Sequence, residues 1–258
     1  MQRSNTYVIL FSLALTIVLG GLLSLASVGL RPAQKKAEEF AKKRQILSAV
    51  QDIKQLSDIV SVYNSRISSF IVNANGEMVE ETNQNGQPLI AEDLDNEKEF
   101  KKPPEDRLYP VYKYHVEGNP DQIEAYIFAL YGKGLWNDIW GYIAFETDIN
   151  TIAGIVFDHK GETAGLGARI TENEVLARYK GKKVFDANGE IVAVSMLKGE
   201  NNKPVLLDEH HINGLSGATI TAKGVNYMMV DYINCYLPFI GKLKQEDTGA
   251  VSMLNTKN

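Results

Sequence analysis

The sequence predicts an α+β protein: one N-terminal transmembrane helix, then a mixed α/β domain with a mostly antiparallel sheet. Three observations predict it. Tyr7 to Leu30 carries no charged residue, and about 20 helical residues cross the hydrocarbon core of a bilayer. Seven strand-like runs follow, several of them alternating apolar and polar residues, as in Ile123 to Leu130. A segment of small and hydroxylated residues around Ser216 then opens a stretch of helical length. By these signs residues 1–30 form the anchor, 31–62 a helical stalk, 63–244 the folded domain and 245–258 a flexible tail.

Tyr7 is placed as an interfacial anchor at one end of the span. A cleaved signal peptide is the rival reading, with Arg3 as its n-region and Ser24-Leu25-Ala26 as a small-x-small cleavage site. Arg31, Lys35, Lys36, Lys42, Lys43 and Arg44 follow the span and only Arg3 precedes it. Read alone, that bias puts the large domain in the cytoplasm. Pro32 suits the first turn of a new helix. Ile46, Val50, Ile53, Leu56 and Val60 then recur at three- and four-residue steps, predicting helix to about Val62.

Strands are expected at 66–72, 108–115, 123–130, 140–146, 152–158, 183–186 and 190–197. Asn75-Gly76 and Asn188-Gly189 are hairpin-turn signals. The polar stretch from Thr82 to Pro104 reads as a surface loop. Thr171 with Glu174 reads as a capping box for a short helix ending near Gly181. The helix after Ser216 is expected to end near Cys235, with Pro238 stopping it.

Composition narrows the function. A net charge of −5 without a basic stripe beyond the juxtamembrane cluster argues against nucleic acid as a partner. Cys235 is the one cysteine, so no internal disulfide or CxxC site exists. None of the four histidines stands in a metal-ligand pair such as HExxH, so no protein-only metal site is expected.

Three stretches can carry chemistry. Asn213-Gly-Leu-Ser-Gly-Ala-Thr-Ile-Thr221 crowds small residues and hydroxyls at a helix start, where unpaired N–H groups and the dipole suit a phosphate. Ser216 or Thr219 is placed to contact or be esterified by it, although a plain Ser-capped helix uses the same residues. His159-Lys-Gly-Glu-Thr-Ala-Gly-Leu-Gly-Ala168 is a glycine-rich turn after a strand. It is neither GxGxxG nor a P-loop, and a flexible loop has the same composition. Gly132-Lys-Gly-Leu-Trp-Asn-Asp-Ile-Trp-Gly141 holds both tryptophans, an aromatic wall or a loop pinned to the core.

Together these stretches resemble the FMN-binding domain family. Ser216-Gly-Ala-Thr219, followed by Thr221, is similar to that family's flavinylation motif. The resemblance implies FMN joined by a phosphoester to Thr219, with Ser216, Gly217, Ala218 and Thr221 around it. Glu162-Thr163-x-Gly165-Leu166-Gly167 resembles the family's Glu-Thr-Pro-Gly-Leu-Gly loop, with Glu162 and Thr163 expected to hydrogen-bond the flavin. Leu166, Leu215 and Trp136 or Trp140 are the expected ring contacts. Gly-Lys-Gly-Leu-Trp and the single span resemble the C subunits of Na+-translocating NADH:quinone reductases.

That resemblance implies an electron carrier within a multisubunit complex of the bacterial inner membrane, with a periplasmic domain and no catalytic residue of its own. Its implied partners are the other subunits, a flavin transferase during maturation and membrane lipid. Two other readings stand beside it, the G subunit of an Rnf-type ferredoxin:NAD oxidoreductase and a non-redox anchored binding module. The chain departs from the family at Asn213, where an Asp is usual, and at Ala164, where the loop usually has Pro.

Overall fold

A computed structural model describes residues 4–53, 58–80, 82 and 86–255, with side chains to 245. Arg3, Leu56, residues 83–85 and residues 256–258, on which parts of the expectations above fall, lie outside the described residues. The chain divides into two units, Met1–Lys42 and Lys43–Asn258.

The first unit is helical from Asn5. Helix α1, Asn5–Ser48, has 44 residues, and its most apolar window reaches a mean hydropathy of 2.5 with nothing buried. Among the described residues it is the one helix long and apolar enough to cross a membrane. Pro32 lies inside this helix and does not begin a new one. A break there would leave unpaired N–H and C=O groups at two new helix ends, whereas one interior proline costs about 3 kcal/mol.

The second unit begins with the last turns of α1. The stalk does not remain helical to Val62: α1 ends at Ser48, and a separate helix α2, Ile59–Arg66, starts at Asp58. Asp58 caps it by accepting the Ser61 N–H at 3.0 Å. The reason is burial. Ile46, Leu47 and Ala49 turn into the domain core, and Gly154 allows the Ala49 carbonyl to come within 2.3 Å of where a Cβ would stand.

Five strands form one antiparallel sheet in chain order: β1 Ile67–Val72, β2 Tyr109–Val116, β3 Asn119–Lys133, β4 Asp138–Phe145 and β5 Ile152–His159. Alternation sorts their side chains. Ile71, Tyr112, Tyr114, Ala125, Ile127, Tyr142 and Ala144 face a cluster with Ile46, Leu47 and Tyr63. Val72, Tyr109, Val111, Phe128, Leu130, Ile139 and Ile143 face the long C-terminal helix α5, Thr219–Asn255. The sheet is thus covered on both sides.

Several connections differ from expectation. The 82–104 stretch carries a short helix α3, Asn96–Phe100, with buried Ala91, Leu94 and Glu99. Tyr63 donates to Glu92 at 2.5 Å, and Glu99 accepts the Leu108 N–H at 2.9 Å, so even its acidic residues hold it to the domain. The capping box does not form. Thr171 Oγ1 donates to the Ala168 carbonyl, and helix α4, Asn173–Ala177, begins without a side-chain cap. The runs at 183–186 and 190–197 give only the isolated bridges Thr151–Lys183 and Phe185–Ile191, besides a two-residue strand β6, Ser195–Met196, which pairs parallel with β7, His211–Ile212. Nor does Pro238 stop α5. Tyr236, Phe239 and Ile240 are buried on either side of it, and helix replaces the tail expected from Gln245 as far as Asn255. Both hairpin signals hold: Gly76 has φ +69°, Gly189 has φ +81°, and each turn is closed by a bridge, Val72–Met78 and Phe185–Ile191.

Candidate functional site

Helix α5 begins at Thr219 and runs across the sheet, so its first turn meets two connections. One is the turn between β3 and β4. Gly134 N–H donates to the Asn137 carbonyl at 2.8 Å, and Lys133 pairs with the buried Asp138. The other is the loop after β5. His159 Nδ1 accepts the Glu162 N–H at 3.2 Å, and the Thr163 carbonyl accepts from both Leu166 and Ala168 at 3.1 Å. This loop is therefore an internally bonded turn.

Glu162 joins the three segments. It is buried, and so is Thr221. Thr221 Oγ1 donates to Glu162 Oε2 at 2.6 Å, and the Trp136 N–H donates to Oε1 at 2.9 Å. Burial acts to raise its pKa. The bonds from Thr221 and from the N–H groups of Trp136, Asn137 and Leu135 outweigh burial and hold the carboxyl below its ordinary value, so it is ionised at neutral pH. Space is as restrictive as charge. A Cβ on Gly167 would lie 2.5 Å from both Glu162 Oε2 and Thr221 Oγ1, and one on Gly134 2.4 Å from Oε1.

Of the residues expected from sequence, the fold gathers Thr219, Gly217, Ala218, Thr221, Glu162, Thr163, Leu166, Gly167 and Trp136 about the start of α5. Gly217 has φ +76°, and a Cβ there would stand 2.8 Å from Leu166 Cδ2. Gly165, with φ +74°, shapes the loop and has nothing within 4 Å of a Cβ. Trp136 is 69% exposed, and its Nε1 donates to Thr163 Oγ1 at 3.1 Å. Trp140, next to Ile139 on β4, is partly buried and packs against the core cluster that includes Ala218 and Ala222 of the α5 side.

Thr219 and buried Leu215 line a small cavity of about 60 Å³ together with Leu197, Lys198 and Lys223. Ser216 does not cap the helix; its hydroxyl bonds Glu200. Glu200 pairs with Arg169 at 2.9 Å. Arg178 donates to the carbonyls of Asn213 at 3.1 Å and Gly214 at 2.9 Å. Asn213 Oδ1 accepts from the Asn202 N–H at 2.9 Å and from its side-chain amide at 3.0 Å. Sequence reasoning missed Arg169, Arg178, Lys198, Glu200 and Asn202, because their partners are brought to them only by the tertiary fold.

This geometry has known counterparts. Residues 134–234 match the FMN-binding domain family, a span that contains every residue gathered about the start of α5. The C subunit of the Na(+)-translocating NADH-quinone reductase of Neisseria meningitidis serogroup A is 32% identical over 90% of this chain and 92% of its own length. Its counterpart in Haemophilus ducreyi is 32% identical over 93% of each. The chain belongs to this family of C subunits. A solved structure of the one from Parabacteroides distasonis is 37% identical and superposes with a TM-score of 0.68, covering 81% of this chain and 96% of that one. Shewanella oneidensis NqrC gives the same TM-score at 26% identity. The shared fold therefore extends well beyond the matched flavin domain, as the α+β expectation required.

Proposed function

We propose that the chain is the FMN-carrying electron-transfer subunit of a Na(+)-translocating NADH-quinone reductase, with FMN held covalently by a phosphoester at Thr219 Oγ1. FMN supplies one- and two-electron redox chemistry when bound. The chain's own residues bind and orient it. The observation that carries the reading is the place of Thr219: the first residue of α5, half-buried, on a cavity shared with Lys198 and Lys223. Free N–H groups at a helix start and two lysines favour a phosphate there. A space of that size suits a phosphate group and not a three-ring system, so the flavin ring lies outside it, in reach of the exposed Leu166 and Trp136.

The relatives' shared name favours the quinone-reductase assembly over the Rnf-type one. In this reading α1 is a single-pass anchor in contact with lipid, the domain is periplasmic, and a flavin transferase completes the ester. The basic residues after the span oppose that orientation. Glu38 and Glu39 lie among them, and long domains translocate largely regardless of charge.

The test is flavin fluorescence in a denaturing gel, comparing wild type with Thr219→Ala, both co-expressed with a flavin transferase. A fluorescent wild-type band that disappears in the variant is expected. A band that persists in Thr219→Ala places the ester elsewhere, and a dark wild-type band refutes covalent attachment.

A further inference from the structure

Glu162 is a charge the fold has buried behind the acceptor, and every group that reaches it is a donor. Its residue is 7% exposed and that of Thr221 1%. The Thr221 hydroxyl and the Trp136 N–H donate to it directly, and the neighbouring N–H groups of Leu135 and Asn137 also favour its ionised form. An ionised carboxylate accepts only and offers about four lone-pair sites, whereas a glutamine would turn an NH2 group against some of these donors. The glycines at 134 and 167 make room for the carboxylate in this place, since a Cβ on either would collide with it.

Helix geometry connects this clasp to Thr219. Successive helical residues turn by about 100°, so residues two apart point roughly 200° apart, and residues four apart share a face. Thr221 turned inward onto Glu162 therefore turns Thr219 outward, on the same face as Lys223, which lines the Thr219 cavity. We propose that Glu162 is a positioning residue: through the Thr221 hydroxyl its carboxylate fixes the first turn of α5 and aims Thr219 Oγ1 at the incoming phosphate. It is thereby assigned to the helix rather than to the flavin. This inference rests on Thr219 being the acceptor.

The experiment uses the full chain co-expressed with a flavin transferase, in wild type, Glu162→Gln, Thr221→Val, Thr221→Ser and the Glu162→Gln/Thr221→Val double variant. Covalent flavin is measured per folded protein, with folding followed by circular dichroism. Amide hydrogen exchange is followed over residues 215–225. A hydrogen bond to a buried charge corresponds to roughly a tenfold or greater change in population. Glu162→Gln and Thr221→Val should each lower covalent flavin by about that factor. Thr221→Ser, which keeps the hydroxyl, should stay near wild type. The double variant should be no worse than the worse single one, because the two act as one unit.

Folded Thr221→Val with wild-type flavin content overturns the proposal, as do losses that multiply in the double variant. If Glu162→Gln does not fold, Thr221→Val against Thr221→Ser decides alone. A dark wild type refutes the Thr219 reading instead. Exchange then decides the clasp: faster exchange at 215–225 in Thr221→Val supports it, and unchanged exchange overturns it.

Discussion

Gly224 lies in the interior of α5, about one and a half turns past Thr219, and a methyl group there has two opposed effects. In a free helix Ala is better than Gly by about 1 kcal/mol. In this fold an ideal Cβ at Gly224 stands 2.3 Å from the Lys133 carbonyl oxygen and 3.3 Å from Gly134 Cα. Both are backbone atoms, so no rotamer relieves the contact. With optimal packing at about 3.5–4 Å, α5 and the β3–β4 turn must separate by about 1 Å. Overpacking of this kind costs about 1–3 kcal/mol and outweighs the propensity gain. Gly224→Ala should therefore destabilise by up to about 2 kcal/mol, lowering Tm by up to roughly 8 °C for a domain of this size. Gly241 lies in the same helix with nothing within 4 Å of its Cβ. Propensity acts alone there, so Gly241→Ala should raise Tm by roughly 2–4 °C. Thermal unfolding of the full chain in detergent, followed by circular dichroism, measures both. If Gly224→Ala melts at or above wild type, the close approach of α5 to the turn is wrong.

Two further outcomes follow from the site. Asn213 uses its Oδ1 as an acceptor for Asn202, a role an aspartate fills equally, so Asn213→Asp should change stability by less than about 0.5 kcal/mol. Its covalent flavin content should rise relative to wild type in the gel assay; an unchanged or lower content would show that Asn213 serves the transferase as well as the family's Asp. The carboxyls of Glu162 and Glu200 are both held below the ordinary value of 4.5, Glu162 by donors that outweigh its burial and Glu200 first by Arg169. A depressed folded pKa contributes stability that is fully present above the unfolded pKa and is lost as pH falls through the folded one. Resistance to urea unfolding should therefore fall as pH drops below about 4.5, and less steeply in Glu162→Gln than in wild type; equal slopes would remove Glu162 from the linkage.

The strands of the sheet were legible because alternation is a local signal. Ala125 and Ile127 face one layer and Phe128 the other, as a period of two requires. That the Thr219 segment and the Glu162–Gly167 loop belong to one FMN-binding domain was legible because their residue types are unusual in order and spacing. Helix ends were not. Pro32 and Pro238 are helix stops by propensity, yet both lie inside helices. At Pro238 the buried Tyr236, Phe239 and Ile240 anchor both sides, and the Asn75–Gly76 turn packs on this backbone, a Gly76 Cβ standing 2.3 Å from Phe239 N. The capping box failed for a similar reason. Thr171 had a nearer acceptor in Ala168, within the tight turn that buried Gly167 and Ile170 impose.

Glu162 shows where sequence pattern and physical role part. Its place in a flavin-family loop suggested a ligand for the ring, and in the proposed reading its carboxylate is engaged first by the Thr221 hydroxyl and the Trp136 N–H. A cofactor donor that displaced either would leave that group buried and unpaired, at a cost of about 1–3 kcal/mol. Thr219 has the opposite environment: half-buried, on the lysine-lined cavity, at the start of a helix whose Ala222 and Val225 lie in the core. If Thr219 is the acceptor, placing it on a rigid element, with the loop's charged residue holding that element, would fix the attachment point more closely than the loop could. In the proposed reading such a tether would limit where the flavin can go, and the exposed surface beside Thr219, with Trp136 and Leu166 on it, would be where electrons enter and leave.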